Sequence, residues 1–236
     1  MNVHSFVKLN NTLPSVKDMH LMNQVLVNSQ PKRSLSKARN RQLLIDATFD
    51  VVAEYGVAGV SFTRVLERAG LSRGMINLHF ESKEQLLLAA AKMMAEKYYD
   101  HLQGFIMDRG DDPEDKLTAL LEADFDDAIL NPREIGVWFA FRGEARYNPR
   151  FKPYSNTRDQ HLMQLYDDIF EQLLVTANDS VVKPRDLTSG LLALTEGLWS
   201  DYFMHGDDFD RDQAKRVIYL YLSKMLPRCQ RLASLV

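Results

Sequence analysis

Only one cysteine occurs in the chain, Cys229, so neither an internal disulfide nor a cage of thiolates around a metal can form, and a cytoplasmic setting is expected. No apolar run approaches the roughly 20 residues that cross a bilayer. Polar residues interrupt the first 30 positions throughout, which reads against a secretory leader. The six histidines (His4, His20, His79, His101, His161 and His205) are scattered, with no pair at metal-ligand spacing along one helix, and Cys229 has no base near it in sequence. No metal, no cofactor and no catalytic nucleophile are therefore expected, and an enzyme is a remote reading. Strand-like alternation is missing as well. What remains is a chain of 236 residues, 45% apolar and 26% charged, long enough for a small helical head and one larger helical domain.

The stretch that organises the rest covers 61–83, SFTRVLERAGLSRGMINLHFESK. Phe62, Val65, Leu66 and Ala69 follow helical spacing, the phase breaks at Gly70, Leu71 and Ser72, and it resumes at Met75, Ile76 and Phe80. Two short helices should meet at a tight corner, with Gly70 left-handed at the end of the first and the Ser72 hydroxyl capping the second. That is the pattern of a helix-turn-helix, whose second helix lies in the DNA major groove. An ordinary helical hairpin shares the corner and the cap, so spacing alone leaves both readings open. In the DNA-reading version Thr63 and Arg64 open the first helix, Ser72, Arg73, Met75, Asn77 and His79 face the groove from the second, and Lys83 meets phosphate.

From 41 to about 88 the chain resembles the DNA-binding head of the TetR family of transcriptional regulators. The resemblance rests on an opening helix ending in EYG at 54–56, the AGLSRG corner at 69–74, and HF at 79–80 followed by SKE at 82–84. Two positions depart from the family pattern: Asn77 stands where a tyrosine is usual, and Leu66 where an alanine is usual. A small polar residue at the first of these also occurs in the BetI-like, choline-responsive branch. The likeness to that branch returns, more loosely, over about 122–227, in ADFDD at 123–127, VWFAF at 137–141 and TEGLW at 195–199. The resemblance implies an all-α regulator that binds a double-stranded operator and is controlled by a small-molecule effector.

Charge is distributed unevenly. The overall −3 conceals nine bases against five acids over 32–83, a net +4, and a net −8 over 84–236. A basic head on an acidic body suits phosphates at one end and discourages DNA from wrapping further, although two solvated faces of opposite sign would look the same. Lys32, Arg33, Lys37, Arg39 and Arg41 precede the first helix without an intervening acid, as either a groove-reaching arm or an exposed linker.

Residues 1–31 show no sustained period and read as disorder or a weak helix around Met19 to Val27, within an extension placed at 1–35, with translation starting at Met1, Met19 or Met22. The helix-turn-helix domain is placed at 36–82, its motif at about 60–80, and a ligand-binding and dimerisation domain at 83–236. Helices are expected over 37–55, 82–109, 113–130, 133–146, 153–177, 185–205 and 210–226, most of them announced by an Asn/Asp-Pro step or a capping box. Gly190, Ala193 and Gly197 form a shallow stripe, and apolar residues surround the helix between Val217 and Leu226. Both features point to a homodimer, as paired recognition helices require.

Choline and betaine aldehyde are quaternary ammonium cations, which proteins hold against aromatic faces. Trp138 with Phe141, and Trp199 with Tyr202 and Phe203, share helix faces, while Asp124, Asp127 or Asp201 could oppose the charge. Aromatics at this spacing also serve as plain core. A drug or hydrophobic metabolite controlling an efflux pump is the other effector the sequence allows.

Overall fold

The computed structural model describes residues 32–107, 109–155, 160–177 and 182–235, and no strand occurs among them. The candidate start sites and most of the amino-terminal extension lie outside the described residues. The chain divides into compact units Met1–Gln42 and Leu43–Val236. Helix α1 spans Lys32–Tyr55, beginning five residues earlier than the apolar pattern predicts. From Leu43 onward its inner face buries Leu44, Ala47, Thr48, Val51 and Val52, together with Ile45 and Phe49. Tyr55 departs from that face: it is 47% exposed, and the Arg64 guanidinium lies 4.6 Å above its ring.

The corner forms as the apolar phase predicts. Helix α2, Phe62–Ala69, is capped by the Ser61 hydroxyl, which accepts from the Arg64 amide. Gly70 ends it in the left-handed conformation, φ 65 and ψ 30, where a Cβ would be strained. The amides of Gly70 and Leu71 turn back to the carbonyls of Glu67 and Leu66, the paired bonds of a Schellman stop. Helix α3, Arg73–Asn77, then begins with Ser72 extended at its amino end, but the Ser72 side chain makes no capping bond, contrary to expectation. The helix is short. Leu78, His79 and Phe80 continue the coil through bonds to Met75 and Ile76.

Helix α4 occupies Lys83–Ile106, capped by Ser82 through the Gln85 amide, and measures about 36 Å at 1.5 Å per residue. Helix α5, Pro113–Asp124, stops six residues short of the expected end. The reason is local and tertiary together. The Asp126 carboxylate accepts from the Ala128 amide to form a turn, and the Arg211 guanidinium takes the carbonyls of Phe125 and Leu130 that a continuing helix would have used. Helix α6, Pro132–Tyr147, is capped by Asn131. Pro149–Tyr154 is a 3-10 segment where an α-helix was predicted from 153, and the described part of α7 runs Gln160–Ala177. Helices α8, Pro184–His205, and α9, Arg211–Met225, match their predicted bounds closely, and a short α10, Gln230–Ser234, follows without having been predicted.

The small-residue stripe on α8 divides in two. A Cβ on Gly190 would meet the Tyr221 hydroxyl at 2.3 Å, so Gly190 lets α9 of the same chain approach. Ala193 and Gly197 remain exposed, in company with Phe203, Met204, Val217 and Leu220.

Candidate functional site

At the tip, burial of Val65, Leu66, Ile76 and Phe80 fixes which side chains face outward. Thr63, Ser72, Arg73 and Asn77 are exposed, while Met75 and His79 are half-buried, His79 with its ring 6.4 Å from that of Phe80. Five predicted contacts, Ser72, Arg73, Met75, Asn77 and His79, thus lie on α3 or within two residues of its ends. The two remaining basic candidates are partly committed elsewhere. The Arg64 guanidinium donates to the Gly59 carbonyl at 2.6 Å, and Lys83 Nζ sits 3.4 Å from the Ala58 carbonyl. Arg68 binds Glu54 across α1 and α2, which holds the head together, and the Tyr55 hydrogen bond followed by the paired guanidinium lowers the pKa of the Glu54 carboxyl.

The second site is aromatic. Tyr98 on α4, Trp138 on α6 and Trp199 on α8 form a triangle: Tyr98 to Trp138 is 5.9 Å, Tyr98 to Trp199 is 5.6 Å and edge-on, and Trp138 to Trp199 is 5.6 Å at 87°. Against this triangle open a cavity of about 440 Å³, lined by Tyr98, Tyr99, Trp138, Tyr154, Glu96 and Asp100 among others, and another of about 300 Å³ toward Lys97, His101 and Glu134. The larger one presents four aromatic rings and two carboxylates, a wall suited to a small organic cation.

Asp124 stands behind the triangle, fully buried. Its carboxylate accepts from the Tyr98 hydroxyl at 2.7 Å and from the Tyr166 hydroxyl at 3.4 Å, and its backbone carbonyl accepts from Trp199 Nε1 at 3.0 Å. Burial raises its pKa to about 7, although both tyrosine hydrogen bonds pull the other way. Burial and the neighbouring carboxylate in turn push both phenols far upward, so each remains an O–H donor.

Of the residues predicted for the effector, Trp138, Trp199 and Asp124 are thereby brought together. The others go elsewhere. Phe141 is fully buried and stacked on Phe151, Tyr202 packs edge-on to Phe209, and Phe203 is half-exposed beside Phe139. Asp127 is exposed and paired with Arg211 at 2.6 Å, and Asp201 is exposed and 3.5 Å from His205. The physical reason is one of angle: i and i+3 on a helix differ by about 60°, enough to turn Phe141 and Tyr202 away from the triangle that Trp138 and Trp199 enter. Tyr98 and Tyr99 on the long α4, and Tyr154 at the end of a 3-10 segment, were missed because nothing in the local pattern marks a ring as facing a cavity.

Helix α6 also reaches the head. Arg133 at its start donates through Nε to Asp50 Oδ1 at 2.6 Å and through Nη2 to the Asp46 carbonyl at 3.0 Å, both on α1. Past its far end, Asn148 Nδ2 donates to Glu84 at 3.0 Å and Arg150 pairs with the same carboxylate at 2.9 Å.

Comparison with known proteins agrees with this geometry. Residues 44–97 match the family of bacterial regulatory proteins of the tetR type, and 113–227 match the carboxy-terminal domain of BetI-type transcriptional repressors. The HTH-type transcriptional regulator BetI of Stenotrophomonas maltophilia is 30% identical over 196 residues, covering 83% of this chain and 97% of that protein. BetI of Pseudomonas aeruginosa is 30% identical over 203 residues, 84% and 98% of the two chains. In fold, a putative transcriptional regulator from Pseudomonas aeruginosa superposes with a TM-score of 0.72 at 23% identity over 86% of this chain and 96% of that one. A putative regulator from Saccharomonospora viridis, solved in complex with choline, superposes with 0.69 at 18% identity over 79% and 96%. A helix-turn-helix whose outer face is polar, carried by an all-helical body with a BetI-type carboxy-terminal half, therefore makes this chain a member of the TetR family of transcriptional regulators and not an enzyme.

Proposed function

We propose that this regulator is a ligand-released repressor that acts as a cytoplasmic homodimer on genes for the metabolism or transport of choline and glycine betaine. The observation that carries the effector assignment is the cavity of about 440 Å³ lined by Tyr98, Tyr99, Trp138 and Tyr154 and by the carboxylates of Glu96 and Asp100. A quaternary ammonium offers no N–H to donate, so its recognition falls to ring faces and diffuse negative charge, and this wall supplies both. The names of the BetI relatives and the choline held by the Saccharomonospora protein support the same class.

The DNA assignment rests on Arg73 and Asn77, exposed on α3, with Thr63, Ser72, Met75 and His79 around them and Lys83 toward phosphate. Ligand acts by population shift. Helix α4 holds Tyr98 in the cavity wall and begins at Lys83, about 22 Å away at 1.5 Å per residue, so a ligand that binds one setting of α4 better changes the spacing of the tips.

The test is an anisotropy titration of the protein on the DNA upstream of its own gene. Preference over random duplex, release by choline or betaine aldehyde, and a roughly five- to 150-fold loss of affinity in Arg73→Ala are expected, a lost bidentate contact amounting to about 1–3 kcal/mol. Release by an apolar drug and not by these cations would assign the cavity to an efflux signal instead.

A further inference from the structure

Leu78, directly after α3, is 64% exposed and is the most exposed large apolar side chain between 36 and 82. Its backbone stays right-handed, φ −76 and ψ −16, so it continues the turn of the helix. With about 100° of rotation per residue and Arg73 set at zero, buried Ile76 points to about 300°, which puts the outward direction at about 120°. Gly74 at about 100° and Leu78 at about 140° straddle that outermost line, while Asn77 at about 40° lies with Arg73 to one side. The polar side chains that face outward from α3 therefore flank an apolar ridge.

Neither residue of the ridge serves the core. A Cβ on Gly74 would meet no atom within 4 Å, and its φ is not positive, so the fold does not require glycine there. Glycine also weakens a helix relative to alanine. Both residues suit a surface that closes on something outside the chain: Gly74 lets the backbone come near, and Leu78, one turn on, reaches beyond it. The chemistry of what Leu78 can meet is narrow. A phosphate, or the nitrogen and oxygen atoms of a base edge, would lose water against an isobutyl group and gain no hydrogen bond. On the major-groove edge of B-DNA the apolar group is the C5 methyl of thymine.

We infer that Leu78 is a specificity residue for the operator, packing on a thymine C5 methyl in each half-site beside the groups that Arg73 and Asn77 contact. The inference rests on the reading of α3 as the groove-facing helix. Sequence is read at that base pair without a hydrogen bond.

The experiment measures anisotropy affinities of the full chain for the operator fragment upstream of its own gene, with half-site thymines replaced one position at a time by uracil, which pairs identically and lacks only the methyl. Replacement at one position, made in both half-sites, should weaken wild-type binding by about 15-fold, roughly fourfold for each methyl that loses its apolar contact. Leu78→Ala, a change at an exposed side chain, should keep the melting temperature of the wild type and bind the thymine and uracil fragments alike. Leu78→Met, equally apolar, should discriminate as the wild type does. Insensitivity of the wild type to uracil at every position, or undiminished discrimination in Leu78→Ala, overturns the contact and leaves DNA binding standing. If the wild type does not prefer the fragment to random duplex, the reading of α3 falls and takes this one with it.

Discussion

At the scale of single residues, Asp124 is the side chain whose environment departs most from water. Buried beside the aromatic triangle with a pKa near 7, it holds a proton in the folded state that the unfolded chain, at about 3.9, has already released. Between those values the native state binds more protons than the unfolded one, so this group's contribution falls as pH rises from about 4 to 7, by about 4 kcal/mol in all, and is flat above and below. Asp124→Asn keeps an acceptor for Tyr98 and removes the titration. Thermal unfolding should show the variant gaining on the wild type between pH 5 and pH 8; a difference that stays constant with pH would mean the carboxyl titrates as it does in water. Trp138 and Trp199 stood out in the sequence as the two largest rings on helix faces, whereas Asp124 was one of three candidate acids, and only its burial separates it from Asp127 and Asp201. Their partner Tyr98 did not stand out, since its role depends on three helices meeting. The cap assigned to Ser72 failed because an N-cap serine has its side chain free to turn outward, a choice that sequence does not record.

At the scale of elements, periodicity located the helices and proline-linked caps fixed most of their starts. Their ends were harder. Helix α5 stops at Asp124 because Arg211, 86 residues beyond Phe125, takes over the carbonyls of the following turn, an event without local signature. Helix α6 gains meaning only in three dimensions: Trp138 in the cavity wall and Arg133, which bonds to Asp50 of α1, are five residues apart, about 7.5 Å along the axis, so α6 links cavity and head by a short rigid path. Removing the link in Arg133→Ala should leave choline affinity of the free protein nearly unchanged and shrink the effect of choline on operator affinity. Coupling between sites typically amounts to about 1–3 kcal/mol, so a five- to 150-fold effect would fall toward unity. The check is operator affinity with and without saturating choline. A variant that weakens DNA binding equally in both conditions would show that Arg133 serves the head's stability and carries no signal.

At the scale of the whole molecule, one tip covers one half-site, and operators read by paired helix-turn-helix units space half-sites about 34–36 Å apart or at multiples of that. The chain carries a surface suited to pairing. On α8, Ala193 and Gly197 are exposed, and a Cβ on Gly197 would meet nothing within 4 Å; on α9, Val217 is 39% and Leu220 45% exposed. Apolar residues nearly surround α9, yet its own chain buries only Ala214, Ile218, Tyr219 and Leu222, which leaves one side for a second copy. Because Leu220 faces solvent within the single chain, Leu220→Glu should leave the monomer folded, with its helical signal intact, while the charge, set on the face proposed for pairing, should keep two copies apart. Sedimentation should then show the monomer mass. Operator affinity should fall by about 100-fold or more, since two tips no longer bind as one unit and the second engagement loses its effective concentration. A variant that still sediments as a dimer would place the interface on another face, and one that is monomeric yet binds the operator with full affinity would show that a single tip suffices.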